Sequence, residues 1–121
     1  MYKLELKINQ LPRSLNKSLR THYHQYNKLK KQWHDIMIIE SRFKGLPNTP
    51  LTKAKLKIVR HNFRMLDYDG LVGSLKPVVD GLIEAKVIKD DSWGVLGQWE
   101  VNQVFRSKKD GPLLEIEVIQ I

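Results

Sequence analysis

The sequence predicts one small α/β (α+β) domain: a mixed four-stranded sheet with two helices, in the order β-α-β-α-β-β. Three observations carry this. Four short segments alternate apolar with polar residues, the period of a half-buried strand. Two longer segments repeat apolar residues at three- and four-residue steps, the period of a helix. The 121 residues are too few for a second core, so residues 1–121 form a single domain.

The elements follow in order. Tyr2, Leu4, Leu6 and Ile8 alternate with Lys3, Glu5 and Lys7, which reads as a strand. Leu11-Pro12-Arg13-Ser14-Leu15-Asn16-Lys17 reads as a loop. Over residues 21–43, Tyr23, Tyr26, Leu29, Trp33, Ile36, Ile39 and Phe43 form a helical stripe, and Gly45 with Pro47 stops it. Residues 51–59 form a second strand, with Ala54, Leu56 and Ile58 inward and Lys53, Lys55 and Lys57 outward. Solubility and edge protection explain those lysines better than DNA contact does. Leu75, Val78, Val79, Leu82 and Ile83 mark a second helix ending near Ala85-Lys86. Ser74 is its expected N-cap, with Pro77 in the first turn. Residues 99–106 and 113–121 are the last strands, expected to pair as a hairpin through residues 107–112.

Composition narrows the chemistry. With no cysteine, the chain has no disulfides, thiol catalysis or thiolate metal sites, which fits a reducing cytoplasm. No apolar run approaches a membrane span, and the first residues do not read as a signal peptide. The net charge is +8, and it is divided. Residues 1–60 carry 14 Lys/Arg against 3 Asp/Glu; residues 61–121 carry 7 against 10. Asp67, Asp69, Asp80, Glu84, Asp90 and Asp91 fall within one stretch of the acidic half. A basic surface attracts a polyanion, and clustered carboxylates hold a cation that acts on phosphate. An acidic outer face would give the same counts.

The spacing sharpens the first view. In extended backbone, Asp67 and Asp69 would point to one side. Lys76 and Asp80 are four residues apart and share a helix face. Asp90-Asp91 comes after the short Val87-Ile88 segment and meets the other carboxylates only if that segment folds back beside the helix. Otherwise Lys76–Asp80 is a surface ion pair and Asp90-Asp91 a solvated turn. His22, His24, His34 and His61 are more readily structural than catalytic. Trp93, Val95, Leu96 and Trp99 are candidates for core or for a subunit interface.

Asp67-Tyr68-Asp69-Gly70-Leu71, then Lys76, Asp80-Gly81-Leu82 and Asp90-Asp91, together resemble the motifs of the RusA family of Holliday-junction resolvases. Pro12, Ser14 and Asn16-Lys17, between the first strand and the long helix, resemble that family's P-x-S-x-N opening. The resemblance implies a metal-dependent endodeoxyribonuclease that resolves four-way junctions or other branched DNA in recombination and repair, of phage or prophage type. It implies Asp67, Asp69 and Asp91 as metal ligands and Lys76 as an active-site residue, with Asp80 and Asp90 supporting. The cofactor is then Mg²⁺, with Mn²⁺ able to substitute, and the assembly a homodimer. Arg13, Asn16, Lys17, Arg20, Arg60 and Arg64, helped by Lys28 and Lys31, would bind phosphates. Gly70 stands where the family has asparagine, and Asp69 and Lys76 are seven residues apart, wider than the family pattern. These departures leave a competing expectation: a DNA- or RNA-binding domain of the same fold that cuts weakly or not at all.

Overall fold

A computed structural model describes residues 1–12 and 22–121, with the side chains of residues 22–26 outside the description. The elements are β1 (Lys3–Ile8), α1 (His22–Lys44), β2 (Ala54–Asn62), α2 (Tyr68–Glu84), the short α3 (Trp93–Leu96), β3 (Glu100–Phe105) and β4 (Leu113–Gln120). Residues Lys108–Asp110 form a 3₁₀ turn between β3 and β4. The mixed four-stranded sheet and the two long helices are those expected. The strand order is β1-β4-β2-β3. Among the described residues no helix is long and apolar enough to cross a membrane.

The expected hairpin of the last two strands is not formed. β4 lies between β1 and β2, antiparallel to both, whereas β3 pairs in parallel with β2. Burial explains the exchange. Leu114, Ile116 and Val118 give β4 a fully apolar inner face, suited to the sheet centre, while β3 is half-exposed and takes an edge. β2, α2 and β3 thus make a parallel β-α-β unit with α2 as the crossover. β2 is therefore interior, and its lysines protect no edge. They cover the open face, where Lys55 pairs with Glu100 of β3 at 2.8 Å.

One sheet face is buried under the helices. Leu4, Leu6, Ile8, Leu56, Ile58, Leu114, Ile116 and Val118 meet Trp33, Met37, Leu75, Val78, Val79 and Leu82 in one core. In α1 the buried line runs through Trp33, Met37 and Ser41, leaving Ile39 and Phe43 exposed. The expected stripe thus slips by a fraction of a turn along its second half. The two helices approach so closely that a Cβ at Gly81 would lie 2.7 Å from Met37 Cβ and 3.1 Å from the Trp33 carbonyl oxygen.

α2 begins earlier than expected. Its N-cap is Asp67, and Pro77 lies inside the helix. Ser74 is buried about two turns in from the cap, where its hydroxyl donates to the Leu71 carbonyl at 2.8 Å. Proline removes the hydrogen bond to the carbonyl of Gly73, four residues earlier. Gly73 is exposed, so solvent can take over as that carbonyl's partner.

Candidate active site

The acidic stretch is organised by α2. Asp67 is extended (φ −68°, ψ 167°), and its Oδ1 accepts from the Gly70 N–H at 2.8 Å. The side chain thereby satisfies one of the helix's free donors, and its charge complements the positive end of the helix dipole. Asp69 sits in the first helical turn. The two aspartates are therefore not alternate residues of a strand, as the D-x-D spacing suggested. They gather at the helix N-terminus instead.

Gly70 fits this cap. A Cβ there would lie 2.6 Å from Asp67 Oδ1, so a larger residue would push the carboxylate off the Gly70 amide.

Further along, Asp69, Lys76 and Asp80 project within about 40° of one another around the helix axis. Lys76 Nζ lies 3.2 Å from Asp80 Oδ1 and also pairs with Asp91 Oδ2. Lys30 of α1 approaches the same Asp80 at 3.9 Å. Partial burial of Lys76 disfavours its charge, but the hydrogen bonds it donates to Asp91 and Asp80 outweigh this and raise its pKa above the ordinary lysine value. Lys76 is thus a firmly charged ammonium between two carboxylates.

Asp91 arrives there by backbone pairing. Leu51, just before β2, bridges Ile88 in parallel. Leu51 N–H donates to the Val87 carbonyl and Lys89 N–H to the Leu51 carbonyl, both at 2.9 Å. This fold-back turns the segment after α2 toward the helix. Asp90 points elsewhere: its Oδ1 accepts from the Ser92 N–H at 2.9 Å, and contacts with Ser92 hold its pKa below the ordinary carboxylate range.

The end of β2 supports the Asp67 turn. Arg60 is only 6% exposed; its Nη1 donates to the Arg64 carbonyl at 2.6 Å and to Gln103 Oε1 at 3.3 Å. Burial lowers its pKa. Its guanidinium is thus turned into the fold, whereas Arg64 is exposed and lies 5.5 Å from the Phe63 ring centre. Lys108 stands over the same ring, also at 5.5 Å. His61 Nε2 faces Glu115 Oε1 at 2.5 Å, and its ring is mostly buried. Lys28 and Lys31 lie on α1, exposed. Arg13, Asn16, Lys17 and Arg20 lie outside the described residues.

Sequence reasoning missed Gln103, whose amide holds Leu66 immediately before Asp67. A polar residue among the inward positions of β3 was the only available signal. The Leu51–Ile88 bridge had none, because isolated bridges carry no periodicity. Of the apolar run, Leu96 is core, Val95 and Trp99 pack against it, and Trp93 is 77% exposed.

Carboxylate oxygens are the donors Mg²⁺ prefers. Among the described residues neither oxygen of Asp69 has a partner, and Asp67 and Asp91 each have one oxygen engaged. Also among the described residues, no three histidines or carboxylates stand together closely enough to hold a metal ion. The structure brings Asp80 and Asp91 onto Lys76 and sets Asp67 and Asp69 at the start of the same helix. In comparisons with known proteins, no family model matches this chain and no curated protein matches it.

Proposed function

We propose that this chain is a Mg²⁺-dependent, structure-selective endodeoxyribonuclease acting on four-way junctions or other branched DNA, of the RusA-like type its motifs resemble. One observation carries the reading: Asp69, Lys76 and Asp80 share a face of α2, and the Leu51–Ile88 bridge returns Asp91 to Lys76. A surface ion pair needs only Lys76 and Asp80. The fold-back adds a second carboxylate from a distant segment, as a site requires.

In this reading Asp67, Asp69 and Asp91 would hold the cation, which would have to draw them closer together than the structure places them. The chemistry such a cation would supply is Lewis-acid polarisation of a phosphodiester and a lowered pKa for bound water. Lys76, kept charged by its two carboxylates, supplies positive charge to the phosphoryl oxygens as negative charge builds on them. Asp80 positions Lys76. The exposed Arg64, Lys28 and Lys31 attract backbone phosphates independently of sequence. A two-fold homodimer would present two equal sites to a junction. Absence of cysteine fits a cytoplasmic setting for this chemistry.

The test is cleavage of a synthetic four-way junction beside a linear duplex, with Mg²⁺, with Mn²⁺ and with chelator. Metal-dependent cutting of the junction, abolished in Asp69→Asn, is expected. Undiminished cutting by that variant would remove Asp69 from the site. A second reading, a DNA-binding domain that does not cut, is favoured by the protein partners already held by Asp67 and Asp91. Tight junction binding without any cutting would select it.

A further inference from the structure

Beside the acidic helix lies an aromatic cleft that the proposed cutting chemistry does not use. Tyr68, Val72, Trp93 and Trp99 line a space of about 210 Å³. It continues along Tyr68 into a more open, polar space of about 460 Å³ bordered by Gln98, Trp99, Asn102 and Glu100, whose carboxylate is paired with Lys55. Tyr68 is 63% exposed and Trp93 77% exposed, so two large rings stand in water. Burying them in the core would stabilise the fold, and the fold forgoes that.

We infer that this cleft binds one unstacked nucleobase of single-stranded or branched DNA. The inference rests on the reading that the chain binds DNA. The rings offer π faces on which any base can stack. The amides of Gln98 and Asn102 can both donate to and accept from a base edge. The dimensions suit a single flat ring system rather than a second protein surface. The position is also informative. Tyr68 lies between Asp67 and Asp69, and Trp93 is two residues beyond Asp91. Tyr68, Val72 and Lys76 follow one another at four-residue steps along one side of α2, which sets the cleft about 12 Å along the helix from Lys76. A strand with a phosphate at Lys76 would therefore have a base one or two nucleotides away within reach of the rings. In a continuous duplex that base is stacked and paired. At a branch point it is the base most cheaply released. The cleft would thus help the site distinguish branched DNA from duplex.

The experiment measures binding without cutting, in Ca²⁺ or chelator, to a short fluorescent oligothymidylate and to a blunt hairpin duplex. Trp93→Ala should weaken oligothymidylate binding about tenfold, as loss of one base stack would. Duplex affinity should not change, and Trp93→Phe should restore most of the loss. Equal oligothymidylate affinity in Trp93→Ala and the parent overturns the inference. So does an equal loss on duplex, or a self-association that Trp93→Ala abolishes while DNA binding is unaltered. Junction cutting separates the two readings. A protein that binds oligothymidylate through Trp93 but never cuts keeps the base cleft and loses the nuclease. One that cuts while Trp93→Ala binds oligothymidylate normally keeps the nuclease and loses the cleft.

Discussion

Gln103 grips Leu66 at both ends of its backbone: the Leu66 N–H donates to Gln103 Oε1 at 2.9 Å, and Gln103 Nε2 donates to the Leu66 carbonyl at 2.8 Å. An edge strand thereby fixes the residue that leads into Asp67. The same amide oxygen receives Arg60, so strand, turn and helix cap share one polar junction.

Gln103→Leu should therefore cost more than an ordinary surface change. It leaves two backbone groups of Leu66 and the buried Arg60 without that partner, a loss on the order of 1–3 kcal/mol. Urea unfolding would read the stability, and junction cleavage should fall with it as Asp67 loses its support. An unchanged unfolding midpoint would show that water replaces the amide at no cost.

Asp67 serves as a helix cap and, in the proposed function, as a metal ligand. Asp67→Asn keeps a good capping group, so stability should hold while Mg²⁺-dependent cutting falls. Asp67→Ala should lose both, with about 1 kcal/mol of stability. Gly70→Ala should displace the Asp67 carboxylate through its 2.6 Å approach and lower stability comparably. Parallel thermal melts and cleavage assays separate these outcomes.

The Lys76 cluster predicts a direction with pH. Its pKa in the fold is raised above the ordinary 10.5, so the folded state holds the proton more tightly than the unfolded chain. The resulting stabilisation is complete below 10.5 and is lost as pH rises through the folded-state value. Lys76→Met should lack this alkaline decline. Chemical unfolding of both proteins from neutral pH upward measures it, and parallel curves would show that the pairs contribute nothing.

Gly81 is a point of close approach between the long helices. Gly81→Ala would drive a methyl to 2.7 Å from Met37 Cβ, and such overpacking costs typically 1–3 kcal/mol. The reduced melting temperature should recover partly in a double variant with Met37→Ala, which vacates that space. Additive losses would instead indicate two unrelated effects.

The elements were legible because each announces its own period. Leu4, Leu6 and Ile8, or Leu114, Ile116 and Val118, alternate strictly because one side of the sheet is dry. The pairing of those strands was less legible. Residues 107–112 carry every mark of a turn, yet the 3₁₀ turn carries the chain onward to a different partner. Local turn chemistry does not reveal which strand has the better inner face. The start of α2 was hidden for a related reason. Asp67-Tyr68-Asp69-Gly70 lacks apolar periodicity, and Pro77 argues for a later start, whereas packing of Leu71 onto the core extends the helix by two turns. The Lys76–Asp80 pair could be read from spacing alone. Asp91 could not, because its place depends on Leu51, a residue separated from it by a strand and a helix.

That dependence fixes when, in the life of a chain, the cluster can exist. The Leu51–Ile88 bridge closes a loop containing all of β2 and α2. Contacts of such long sequence separation are slow to form, since the chain entropy is lost before the contact returns anything. The Lys76–Asp80 pair needs only one helix, whereas the Lys76–Asp91 pair needs the closed loop as well. Assembly of the full charge cluster is therefore a late event, coincident with ordered tertiary structure. Refolding followed at Asp91 should lag behind the helical signal.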